Sequence, residues 1–207
     1  MIECRNVSAC VGNFRLHDVS FVIPAGGHAV LTGPTASGKT TLLELIAGAI
    51  LPTSGSVVAN GMDVTFMPPE ARSVGLVPQH GYLFPHLDVR QNIGYGTADG
   101  SAIDDLARRF GVRHLLDRSV ASLSGGERQL VALCRALAAK PAILLLDESF
   151  SALDASRRSD AIGEFATLQS ERRLTVLHVS HLENDASIAT VRFKMADGKL
   201  NAVSTAT

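Results

Sequence analysis

The sequence has no basic excess: 19 Lys and Arg stand against 20 Asp and Glu, a formal net charge of −1. A broad nucleic-acid surface needs such an excess, so that class of partner is not expected. Cysteine is scarce. Cys4, Cys10 and Cys134 are an odd number without C-x-x-C spacing, which argues against a disulfide framework or a zinc site and fits a reducing compartment. No apolar run reaches the roughly 18–20 residues that cross a bilayer. The longest core-like run, 142–146, stops at Asp147. The opening Met1-Ile2-Glu3-Cys4-Arg5 lacks the charged-then-apolar pattern of a secretory signal, so a membrane role is expected to come through a partner. Repeats, low-complexity linkers and tryptophan are also missing. What remains is 207 residues, 46% of them apolar, which suits one large domain or one domain with a small insertion.

Strand and helix signals alternate along the chain. Residues 19–22 and 29–32 read as short buried strands around the turn Pro24-Ala25-Gly26-Gly27. Residues 40–49 carry helical apolar spacing through Leu42, Leu43, Ile46 and Ala47, and end near Gly48. Further strands are expected at 57–60 and 74–78. From about 81 the texture changes to short helical stretches broken by glycine, such as 103–110, and reads as a helical insertion. A strong helix follows at 124–139, with Leu130, Leu133, Cys134 and Leu137 on one face. Then come a buried strand at 143–146, a helix at about 155–170, a buried strand at 175–179, and a hairpin of 191–195 and 199–203 around Asp197-Gly198. This alternation predicts an α/β fold with a largely parallel central sheet.

Three segments carry chemistry. Gly33-Pro34-Thr35-Ala36-Ser37-Gly38-Lys39-Thr40 follows an expected strand and opens an expected helix. Its glycines let successive N–H groups converge on an anion, the helix adds its positive end, Lys39 adds a charge for the outer phosphates, and the Thr40 hydroxyl can ligate Mg2+. At average glycine usage, chance produces such a match in about one chain per hundred, so the strand-to-helix context matters. The strand at 143–146 ends in Asp147 and Glu148, at the strand end where α/β folds place ligands. Asp147 is expected to bind Mg2+ and Glu148 to act as general base, with strand alternation sending the two side chains to opposite faces. Ser124-Gly125-Gly126-Glu127 heads the long helix, with Ser124 as N-cap and Glu127 placed for a capping box. Paired glycines there indicate that something approaches closely. The arginine pairs 108–109, 157–158 and 172–173 read as solvated helix faces.

Taken together, GPTASGKTT at 33–41, VPQ at 77–79, LSGGERQ at 123–129, ILLLDE at 143–148, SALD at 151–154 and HVSH at 178–181 resemble the nucleotide-binding subunit of ABC transporters over essentially the whole chain. The resemblance implies a single domain over 1–207: a P-loop NTPase core with an antiparallel β subdomain and a helical subdomain at about 81–122. Because the chain stops at Thr207, no C-terminal regulatory domain is expected. It implies ATP and Mg2+ as cofactors, held by residues 33–41 including Thr41, with Thr40, Gln79 and Asp147 toward the metal. It further implies catalysis by Glu148, Gln79 and His181, and places Asp154 at the seam of a head-to-tail homodimer in which Ser124, Gly125 and Gly126 close on the other copy's ATP. The adenine-stacking aromatic of the family is replaced by Val11, with Phe14 as substitute; Ser149 stands where Pro is usual, and Leu130 where Arg is usual. MPPEAR at 67–72, LFPHL at 83–87, GNFRLHDVSF at 12–21, LELIAG at 43–48 and FPHLDVRQNIGYG at 84–96 are similar to importer ATPases of the molybdate/tungstate branch. Transmembrane permease subunits, docking near Phe84, Pro85 and Leu87, are then the expected partners, at the cytoplasmic face of the membrane, with an extracytoplasmic solute-binding protein beyond them. A soluble ABC-type ATPase uncoupled from transport is the alternative, but such proteins usually carry two cassettes or a long coiled-coil insertion.

Overall fold

In the first two strands, alternating side chains turn inward. The computed structural model describes residues 1–181 and 189–203. β1 (Ile2–Val11) buries Ile2, Cys4, Val7 and Ala9, and β2 (Phe14–Ile23) buries Leu16, Val19, Phe21 and Ile23. After them come β3 (His28–Thr32), helix α1 (Lys39–Ala47), β4 (Ser54–Ala59), the two-residue β5 (Met62–Asp63) and β6 (Val74–Val77). Helices α2 (Val89–Gly94), α3 (Gly100–Arg109) and α4 (Gly125–Ala138) precede β7 (Ile143–Asp147), α5 (Ala155–Arg172), β8 (Thr175–Val179), β9 (Val191–Ala196) and β10 (Lys199–Val203).

Two sheets result. One is antiparallel, in the order β2-β1-β4-β5; the other runs β10-β9-β3-β8-β7-β6. In the second, β3 pairs parallel with β8 and β9, and β7 parallel with β8, while β9 and β10 form an antiparallel hairpin. The expected α/β architecture with a largely parallel central sheet is therefore present. β1 was not among the expected strands: its inward repeat, Ile2 and Cys4 and then Val7 and Ala9, changes phase where the pairing with β2 slips between Cys4 and Val7.

The described residues divide into two compact units. The first spans 1–76, 142–147 and 169 onward. Its core joins Ile2, Leu16 and Ile23 to Leu42, Leu43 and Ile46 of α1 and to Leu145, Leu177 and Val179 of the central strands. Arg72, read from sequence only as part of an importer-like stretch, is 2% exposed and structural. Its guanidinium donates to the carbonyls of Leu45 and Ile46 at the end of α1 and to those of Thr65 and Met67. It thus satisfies helix-end acceptors that have no intrahelical partner.

The second unit spans 77–141 and 148–168. Short helices start where side chains cap them: Asp88 and Gln91 make a reciprocal capping box at α2, and Asp99 caps α3. α2 and α3 both pack on α4, whose buried face includes Leu130, Val131, Leu133, Cys134 and Leu137.

One buried pair makes the first unit sensitive to acid. His178 on β8 is fully buried, with the His28 ring 5.9 Å away. Burial first, and the neighbouring His28 second, push the His178 imidazole from the usual 6.5 down to about 3. Burial also lowers His28, against an opposing hydrogen bond to Gln169. The unfolded chain takes up a proton near pH 6.5 that the folded chain refuses until about pH 3, so stability is lost as pH falls through that window. At pH 4.5 the loss from His178 amounts to about 3 kcal/mol. Urea denaturation at pH 7 and 4.5 should show it, and His178→Leu should flatten the difference; an undiminished pH dependence in that variant would contradict the account.

Candidate functional site

Within the first unit, β3 runs into the 33–38 loop and then into α1. Gly33, Ala36 and Gly38 all have positive φ (152°, 60° and 106°), so the loop curls tightly. Glycine is required at both ends. A Cβ on Gly33 would lie 2.1 Å from the Met195 carbonyl oxygen, and one on Gly38 would lie 2.5 Å from Cζ of Phe14. Pro34, Thr35 and Ala36 form an exposed rim, while Ser37 and Lys39 are buried. The Lys39 ammonium donates to the carbonyls of Gly33 at 2.9 Å and Pro34 at 2.7 Å. No side chain caps α1, so its first-turn N–H groups, including those of Thr40 and Thr41, are oriented for an anion.

Directly below, the Thr40 hydroxyl donates to a carboxylate oxygen of Asp147 at 2.8 Å. Asp147 is 5% exposed. A hydroxyl and a carboxylate side by side are the hard oxygen donors that Mg2+ takes, so these residues fit the ion. The floor of the loop is the terminal hairpin: the N–H of Gly198 donates to the Ser37 carbonyl, and the His17 N–H to the Gly198 carbonyl. Phe14 is half-buried with its ring edge against Gly38, and Val11, opposite it across the β1–β2 turn, is 41% exposed. His181 lies exposed just past the end of β8.

In the second unit, the Gln79 amide nitrogen donates to the Glu148 carboxylate at 3.2 Å. Strand alternation does not direct Asp147 and Glu148. The strand ends at Asp147, and Glu148 has φ of 50°, a left-handed conformation rare outside glycine. A turn, not strand pleat, sends the two carboxylates to different neighbours. Ser149 is fully buried, and its hydroxyl donates to the Val77 carbonyl at 3.4 Å.

At α4, Ser124 and Glu127 form the capping box, and Ser124 and Gly125 are exposed. Gly126 has a reason inside its own chain: a Cβ would come within 2.9 Å of Leu153 and 3.0 Å of the Ala152 carbonyl. Asp154 accepts from the Arg157 N–H at the start of α5. Arg158, expected on a solvated face, instead donates to the carbonyls of Phe150, Ser151 and Leu153 and holds that turn. Near Phe84, the Asn92 carboxamide ties the Phe84 and Leu87 backbones, and the Phe84 ring lies between Tyr95 at 4.5 Å and the Arg135 guanidinium at 5.0 Å. Tyr82 and Tyr95 are each 69% exposed. Among the described residues no helix is long and apolar enough to cross a membrane.

A parallel sheet feeding a glycine-bounded loop, with lysine, threonine and a strand-end aspartate at its mouth, defines a P-loop nucleotide-binding domain. Residues 16–151 match the ABC transporter family. The chain belongs to that family and is an ABC-type ATPase domain. It is 44% identical over 197 residues to the molybdate/tungstate import ATP-binding protein WtpC of Archaeoglobus fulgidus, covering 92% of this chain and 81% of that one. The corresponding protein of Thermococcus kodakarensis is 41% identical, with 97% of this chain and 63% of that one covered, so this chain spans less than two thirds of that relative. The thiamine import ATP-binding protein ThiQ of Escherichia coli is 42% identical over 190 residues, covering 87% and 82%. A dimeric ATP-binding cassette bound to ADP and Pi in a post-hydrolysis state superposes with a TM-score of 0.90 at 25% identity, over 99% of this chain and 98% of that one.

Proposed function

We propose that this chain hydrolyses ATP to drive an importer whose cargo is molybdate, tungstate or a related oxyanion. It works as a head-to-tail homodimer against permease subunits at the cytoplasmic face of the membrane, with an extracytoplasmic solute-binding protein delivering the anion. The observation that carries the reading is the Thr40–Asp147 contact beneath the 33–40 loop: two magnesium-type oxygens beside a lysine-bearing anion nest.

Each residue then has a task. The N–H groups of residues 35–41 and the Lys39 ammonium hold the phosphates, on which Lys39 exchanges loop carbonyls for phosphate oxygens. Thr40 and Asp147 would hold Mg2+, with Gln79 assigned as a further oxygen donor; the ion would supply neutralisation of phosphate charge. Glu148 takes a proton from water as its oxygen bonds the γ-phosphorus and the bond to the β-bridging oxygen breaks, leaving ADP and phosphate. His181 steadies the γ-phosphate, and Ser124, Gly125 and Gly126 of the second copy close over it. Phe14 props Gly38, and Val11 offers adenine a small apolar contact. The exposed tyrosines 82 and 95, with Phe84, Pro85 and Leu87, form the surface offered to the permease.

A tagged copy purified from native membranes and reconstituted with its co-purifying permease and binding protein tests the cargo. ATP-dependent uptake of labelled molybdate or tungstate is expected. Uptake of thiamine instead would refute the oxyanion assignment, and recovery without any membrane protein would refute the importer.

A further inference from the structure

We infer that Gln129 is a positioning residue for ATP hydrolysis, holding the backbones of Gln79, Glu148 and Ala152 and the Ser151 hydroxyl on the first turns of α4. The inference rests on the proposed roles of Gln79 and Glu148. Gln129 is 4% exposed, and a buried carboxamide must find partners. Its Nε2 donates to the Gln79 carbonyl at 3.1 Å, to the Glu148 carbonyl at 3.2 Å and to the Ser151 hydroxyl at 3.3 Å. Its Oε1 accepts from the Ala152 N–H at 3.0 Å. The partners fix the orientation of the amide, since carbonyls only accept and the Ala152 N–H only donates.

These partners are segments whose placement matters. Gln79 and Glu148 are the two residues whose side chains also meet, at 3.2 Å. Gln129 therefore ties the main chain on both sides of that contact. Glu148 sits in a left-handed conformation that persists only when its surroundings impose it. The Gln129 bond to its carbonyl, together with the Ser151 N–H to the same oxygen at 3.0 Å, supplies that restraint.

The placement also links two functions. Gln129 lies five residues after Ser124 on one helix, and the Ser124–Glu127 capping box stiffens the turn between them. One helix thus carries both the exposed Ser124 and the side chain that fixes the backbone of the general base.

Steady-state ATP hydrolysis by the full chain tests this, with Glu148→Gln measured beside it. Gln129→Met keeps length and removes the hydrogen bonds; kcat is expected to fall roughly tenfold or more with KM for ATP within twofold of native. Gln129→Glu sets a carboxylate against two carbonyls and regains a donor only when protonated, so its kcat should rise from pH 8 to pH 6 while the native rate does not. This second variant decides the matter if Gln129→Met fails to fold. Native kcat in Gln129→Met, or a native pH profile in Gln129→Glu, overturns the inference while Glu148→Gln is inactive. If Glu148→Gln itself turns over normally, the catalytic reading fails, and the positioning role fails with it.

Discussion

Replacing Glu148 by Gln should lower ATP turnover by about 100-fold or more, with ATP affinity little changed, because a positioned general base contributes on that scale. The carboxylate stands after β7, turned out of the strand by φ of 50° and touched by the Gln79 amide at 3.2 Å. Glutamine keeps the length and the ability to accept a hydrogen bond from Gln79, but it cannot take a proton from water. Binding does not depend on that proton. The expected signature is thus a split between affinity and rate, read by fluorescent-nucleotide titration against single-turnover hydrolysis. Native single-turnover rates would remove Glu148 from the chemistry. The backbone adds a stability cost here, since a non-glycine residue in this conformation costs about 1–3 kcal/mol, a strain that accompanies function at such sites.

Lys39→Ala should weaken ATP binding by roughly 10- to 100-fold, the worth of a charge-assisted hydrogen bond to a buried phosphate. Two consequences combine. The ammonium that would meet the outer phosphates is gone, and the Gly33 and Pro34 carbonyls it now satisfies at 2.9 and 2.7 Å are left facing one another's charge. Thr40 and Asp147 remain, so the variant should still respond to Mg2+ while binding nucleotide poorly. Isothermal titration with ATP measures it directly, and unaltered affinity would mean that the 33–40 loop is not the phosphate site.

Much of this was legible in the residue pattern, for reasons that differ from element to element. The 33–40 loop, the strand ending at Asp147, the buried strand 175–179 and the hairpin around Asp197-Gly198 are local signals, and each forms where its own spacing places it. β1 is hidden because its inward alternation changes phase between Cys4 and Val7, leaving two short runs in place of one long one. The supports of the site were hidden for another reason: they are contacts across long stretches of chain. Gly198 under Ser37, Met195 against Gly33 and Phe14 against Gly38 join residues with no shared motif. Arg158 reads as a solvated cation and Arg72 only as part of an importer-like stretch, yet both are spent on main-chain carbonyls, which only folding brings together. Gln129 sat inside the quoted LSGGERQ stretch, but its value lies in three backbone segments that periodicity cannot see. The position of Glu148 is legible after the strand, but its direction is not, since a turn rather than strand pleat sets it.

In the proposed mechanism each ATP site is completed by a second copy of the chain. The most direct measurement is the solution mass of Glu148→Gln by light scattering, with and without ATP and Mg2+. The account predicts a shift from the 21.8 kDa monomer to twice that mass when ATP is added, and no shift with ADP. A species that binds ATP yet stays at 21.8 kDa would contradict it.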